Sequence, residues 1–192
     1  TGSYNIRCAA AFVREGFANP TKYSTAFSGL DGGGTKSFMG LVSFSSTANI
    51  TTDAANASTT FNDCYSAGAK GKTLISAFGY FSTALMKFFA DVGGASAPSC
   101  KTPTSGAYNL ETCVTEATIA NPLGMLEISS TAADSTAAGV QSSIGSVIIS
   151  THLISCSGSG ANEDLCSTLS AAITAGGSDP RAVFRSFFET AF

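Results

Sequence analysis

The sequence predicts an all-α fold: a single domain formed by a disulfide-stapled bundle of five to seven amphipathic helices. Three observations carry this expectation. Apolar residues recur at steps of three and four through most of the chain. Glycine, proline and Asn/Asp signals interrupt those runs at helix-length intervals. Six cysteines, an even number with no C-x-x-C spacing, suit structural pairing.

The first predicted helix covers Tyr4–Phe17, where Ile6, Ala10, Val13 and Phe17 fall on one stripe, with Asn19-Pro20 as the stop. From about residue 19 to 70 the chain reads as an irregular polar segment. Within it, Phe38, Val42 and Phe44 fit a strand face or a short helix; without a neighbouring strand partner, the helix is favoured. Thr47–Asn62, polar and rich in Ser and Thr, reads as an exposed connection with room for one helical turn at Asp53–Ala57.

Thr73–Val92 is the predicted central pillar. Leu74, Phe78, Phe81, Leu85, Phe88 and Val92 form a stripe that Ile75 and Phe89 widen. At ~1.5 Å per residue the segment is roughly 30 Å long. Each buried aromatic contributes roughly 1.5–3 kcal/mol, so other elements are expected to cover the stripe. Gly93-Gly94 closes it. Further helices are predicted from Tyr108 or Asn109 through Ala117, after Asn121-Pro122, and over Thr131–Ser155. The β-branched Val147-Ile148-Ile149 leaves a strand open in the second half of the last of these. Asn162 caps a helix with Leu165, Cys166, Leu169, Ala172 and Ile173, closed by Gly176-Gly177. The final helix has Asp179 as cap, Pro180 first, then Val183, Phe184, Phe187 and Phe188 on one face.

Composition narrows the function. Hydrophobic residues make up 44% and charged residues 12%, which excludes the highly charged, aromatic-poor pattern of disordered chains. Net charge is −3 and the ten Lys and Arg are scattered, so there is no basic stripe and no nucleic-acid partner is expected. No uninterrupted apolar run reaches the ~18 residues of a membrane span. The cysteines imply an oxidising, extracellular location, and the absence of a signal peptide fits a chain that begins after its removal. Spacing leaves the connectivity open; the pairing favoured among the alternatives is two local links, Cys100–Cys113 and Cys156–Cys166, with Cys8–Cys64 as the third. Asn49-Ile50-Thr51 and Asn56-Ala57-Ser58 are glycosylation sequons.

One motif has a known counterpart. Gly29-Leu30-Asp31-Gly32-Gly33-Gly34-Thr35-Lys36-Ser37 resembles the first phosphate loop of the sugar-kinase and actin-like ATPases, where backbone N–H groups meet nucleotide phosphates. The resemblance covers nine residues and lacks a second phosphate loop or the length for two lobes. A glycine-rich turn is therefore the reading carried forward. His152, the only histidine, has no nucleophile elbow near it, and Glu163, Asp164, Glu111 and Glu116 need no role beyond solvation and helix-end electrostatics. No enzyme activity, metal or cofactor is expected.

Two functions remain. The first is a secreted structural or assembly protein, a silk-, coat- or filament-like module. Ala, Ser, Gly and Thr form about half the chain, and its low charge permits self-association. The alternative is a secreted carrier holding an apolar ligand such as a sterol, fatty acid or pheromone. Its wall would be Phe78, Phe81, Leu85, Phe88, Phe184, Phe187 and Phe188.

Overall fold

A computed structural model of the chain describes residues 2–17, 21, 24, 42–92, 135–157 and 163–191. Among the described residues there are six helices and no strand: α1 (Gly2–Arg14), α2 (Ile50–Ala67), α3 (Lys70–Val92), α4 (Ser135–Ser155), α5 (Glu163–Gly176) and α6 (Pro180–Ala191). The fold is the all-α, disulfide-stapled bundle that the periodicity predicts. The segment resembling a phosphate loop, the helices expected near Asn109 and Asn121, the carboxylates Glu111 and Glu116 and the Cys100–Cys113 link lie outside the described residues.

Helix α3 is the pillar, starting one turn earlier than its apolar stripe. Ile75, Phe78, Phe81, Leu85, Phe88 and Phe89 are buried as expected. Burial extends around the wheel, however, because Thr73, Ser76, Ser82 and Thr83 on the polar side are also covered. Helices α2 and α4 both pack against α3, α1 packs on α2, and α6 joins α4 to α5. Two of the buried hydroxyls, Ser76 and Thr83, bond back into the helix, whereas Thr73 Oγ1 and Ser82 Oγ are buried without a hydrogen-bond partner among the described residues. Ser76 Oγ donates to the Thr73 carbonyl (3.0 Å) and Thr83 Oγ1 to the Gly79 carbonyl (2.7 Å). Thr83 Oγ1 also accepts the Phe44 N–H at 2.8 Å, tying residues 43–45, which are not helical as the run was expected to be, to the pillar. A Cβ on Gly79 would lie 2.8 Å from the Val42 carbonyl oxygen and 2.6 Å from the Phe44 ring, so this crossing needs glycine.

Two expectations are corrected. The stretch read as an irregular connection within 19–70 contains α2, an 18-residue helix. Its start is well built: Asn49 is the N-cap, its Oδ1 accepting from Thr51 N and Thr52 N at 3.1 Å each. Asp53 in the first turn complements the helix dipole. The buried face consists of Asp53, Ala57, Thr60, Phe61, Asp63 and Cys64. With one large apolar side chain in six, that face produces no stripe visible by hydropathy. Packing on α1 and α3 then overrides the modest helix propensity of its Thr and Asn residues.

The second correction concerns α1. Its buried residues are Cys8 and Phe12, whereas Ile6 and Val13 are 72% and 65% exposed. Both stripes have helical spacing. The disulfide from Cys8 to Cys64 (Cα–Cα 5.0 Å) turns the Cys8–Phe12 side inward. The helix ends before Asn19-Pro20 through a Schellman motif. Gly16 takes φ 75°, Gly16 N–H bonds the Val13 carbonyl and Phe17 N–H the Phe12 carbonyl. Phe17 completes the motif by packing on Phe12, ring centroids 5.3 Å apart.

Helix α4 holds Val147-Ile148-Ile149 in helical form, so the strand reading of that run does not stand. Helix α6 begins as its sequence dictates: Asp179 Oδ1 accepts the Arg181 N–H at 2.9 Å and its carbonyl the Val183 N–H at 3.0 Å. The Cys156–Cys166 disulfide joins the end of α4 to α5. A single apolar cluster draws side chains from all six helices.

Candidate functional site

The seam proposed as a ligand wall is assembled by the fold. Phe78, Phe81, Leu85 and Phe88 from α3 and Phe184, Phe187 and Phe188 from α6 are each at least 96% buried. Five of the rings, Phe78, Phe81, Phe184, Phe187 and Phe188, are partners for one another, while Phe88 pairs with Phe89. Phe81 meets Phe187 edge-on at 5.1 Å and Phe184 at 6.0 Å, and Phe78 meets Phe187 at 6.2 Å. These separations suit aromatic pairing, which adds to the energy of burial. Beside Phe78, Phe81 and Phe187 a void of about 10 Å³ remains, bounded also by Ala77, Val147, Ile148, Thr151 and Leu169. That volume holds about one water, whereas small-molecule sites run from roughly 300 Å³.

A second concavity lies over α3 between α2 and α4. It is an open groove of about 370 Å³ lined by Ser58, Phe61, Asn62, Tyr80, Ser143, Ser146, Val147 and Ser150. Helical spacing puts Ser143, Ser146 and Ser150 on one face of α4, and Ser58 and Asn62 on one face of α2. Phe61 and Tyr80 are nearly parallel, with centroids 6.4 Å apart. Burial raises the Tyr80 phenol above its ordinary pKa, partly offset by a hydrogen bond with Ser143. The phenol therefore stays protonated at neutral pH and cannot serve as a base there. None of the lining residues carries a charge at that pH. Sequence reasoning missed this groove, because single serines carry no signal until two helices face each other.

Two carboxylates hold the loop before α2. Glu15, buried at the end of α1, accepts from Ser46 Oγ at 2.6 Å, Ser45 N at 3.4 Å and Arg14 Nε at 3.0 Å. Asp53 Oδ1 accepts from Thr47 N (3.0 Å) and Thr47 Oγ1 (2.8 Å). Between these anchors Ala48 adopts φ 54°, so Asn49 stands exposed at the end of a clasped turn. Both carboxylates satisfy backbone and hydroxyl donors, Glu15 also pairing with Arg14, while Asp53 Oδ2 is buried without a hydrogen-bond partner among the described residues.

The remaining candidates do not converge. His152 lies in the last turn of α4, half-buried. Glu163 is exposed in the first turn of α5. Among the described residues no three His, Cys, Asp or Glu side chains cluster as metal ligands would. Helix α3 is long and apolar enough to cross a membrane on length and composition, which a search for uninterrupted apolar runs missed. Yet 78% of that apolar stretch is buried inside the fold, which is the pattern of a core helix.

Of the three predicted disulfides, Cys8–Cys64 and Cys156–Cys166 form. Closing a loop of 56 residues in sequence separation, Cys8–Cys64 constrains the unfolded chain most. Replacing both cysteines by Ala is expected to lower the unfolding free energy by about 3 kcal/mol, measured by urea titration. A loss below about 1 kcal/mol would show that α1 docks without its staple.

No protein-family model matches the chain, and no curated protein or solved structure does.

Proposed function

We propose that the chain is a secreted, non-enzymatic assembly module that associates with copies of itself through the outer face of α1. The observation that carries this reading is the exposed apolar stripe of that helix. Ile6, Ala10 and Val13 follow at steps of four and three, all exposed, with Tyr4 39% exposed nearby. On the opposite side of the same helix Cys8 and Phe12 face the core. A helix apolar on both sides suits a second burial event, and a net charge of −3 opposes it little. Arg7 lies beside the stripe but is already engaged, 3.1 Å from Asp63 and over the Tyr4 ring at 4.8 Å. The two observed disulfides support an oxidising compartment. The packing of Phe78 and Phe81 against Phe184 and Phe187 favours a structural role over a carrier.

Sedimentation velocity over a concentration series tests the reading. The wild-type chain is expected to gain mass with concentration. Ile6→Lys combined with Val13→Lys is expected to weaken association about a hundredfold, or roughly 3 kcal/mol, while the circular dichroism spectrum is unchanged. A wild-type chain that remains monomeric throughout, or a double variant that assembles as well as wild type, overturns the proposal.

A further inference from the structure

The geometry points to Asn49 as the modified member of the two sequons: it carries an N-linked glycan, whereas Asn56 does not. The inference rests on the secretory part of the reading above, since the donor, a polyprenyl-diphosphate-linked oligosaccharide, belongs to that route.

The two asparagines differ in backbone and surroundings. Asn49 has φ −120° and ψ 107°, extended backbone ahead of the helix, and both it and Thr51 are exposed. Its Oδ1 is occupied by Thr51 N and Thr52 N. The other amide atom, Nδ2, is thereby directed away from the helix end, and it is the atom that bonds to sugar. A glycan there leaves the cap intact, because a substituted amide keeps its carbonyl oxygen. Transfer forms the bond from Nδ2 to the anomeric carbon and breaks the bond from that carbon to the diphosphate oxygen. The diphosphate leaves with the electron pair, and Nδ2 gives up one proton.

Asn56 lies within α2, half-buried, on the side that meets α1. It lines a groove with Arg7, Arg14, Thr60 and Asp63. Thr60 and Asp63, one and two turns further along that face, are buried, and Asp63 binds Arg7 of α1 at 3.1 Å. A glycan on Asn56 would have to leave between two helices that the Cys8–Cys64 disulfide holds together. Its sequon is also split by the helix: residues two apart point roughly 200° from one another. Ser58 accordingly lines the groove on the opposite flank of α2, between α2 and α4.

The test expresses the full chain behind a cleavable signal sequence in cultured eukaryotic cells. It reads glycan occupancy by intact mass and by peptide mapping after peptide N-glycosidase treatment. One glycan per chain is expected, retained in Asn56→Gln and lost in Asn49→Gln. Thr51→Ala provides a second route, because it removes the sequon hydroxyl while leaving the Asn49 cap in place, and it too is expected to lose the glycan. Chains exported with oxidised cysteines but bare at Asn49 overturn the site and leave the secretory reading standing. Equal occupancy of Asn56 overturns the discrimination between the sequons. Chains retained inside the cell with reduced cysteines overturn the secretory reading and the site with it.

Discussion

Phe187→Ala is expected to lower the unfolding free energy by about 3–5 kcal/mol, the range for truncating a buried aromatic. Phe187 is fully buried and is the ring through which α6 meets both Phe78 and Phe81 of α3. Its removal takes away the transfer energy of the ring and two aromatic contacts, and the space created adjoins the small void already beside Phe187. The surrounding rings belong to two different helices, so the gap closes only if α6 shifts bodily against α3. Urea unfolding with an unchanged m-value is the measurement. Phe187→Leu, which keeps most of the volume, is expected to cost less than half as much. A loss below about 1 kcal/mol for the alanine variant would mean that α6 does not dock on the pillar.

Gly145→Ala is the second large effect, and its sign is the informative part. Replacing glycine by alanine inside a helix ordinarily stabilises by about 0.5–1 kcal/mol. Here a Cβ would collide with the Pro180 carbonyl oxygen and stand 2.5 Å from its carbonyl carbon and 3.0 Å from its Cα. All three are backbone atoms at the start of α6, where Asp179 and Pro180 already fix the chain. Relief therefore requires α4 and α6 to separate. The expected cost is at least about 3 kcal/mol, the upper end of overpacking penalties. Gly71→Ala in the first turn of α3 is the control: Gly71 is exposed with no neighbouring atom where the Cβ would go. It is expected to be neutral or stabilising by a few tenths of a kcal/mol. Equal effects at the two glycines would remove the close α4–α6 crossing from this account.

These two variants also show how small and large residues share the work of packing. Gly145 and Gly79 let backbone approach helix closely, while Phe78, Phe81, Phe184 and Phe187 fill the wider gap between α3 and α6. The abundance of small residues foreshadows such crossings. Which glycines occupy them depends on where another chain segment passes, and single-residue composition does not record that. The seam is a similar case. Its seven members are legible as apolar stripes on two helices, yet whether two stripes enclose a cavity or close on each other is a matter of distance between helices.

By itself the sequence determined the helical class, the pillar, the start of α6 and that the cysteines pair, while which cysteines pair was left to the fold. In each case a strong local signal stands in the chain: a run of Phe at helical spacing, an Asp-Pro cap, cysteines in even number. Tertiary structure decided that α2 is a helix, because a face of Ala, Thr and Cys has too little hydropathy contrast to announce itself. It also decided which of two equally spaced stripes of α1 turns inward. Periodicity specifies that a face exists, whereas burial is a property of the neighbour it meets, and here a disulfide to α2 selects that neighbour.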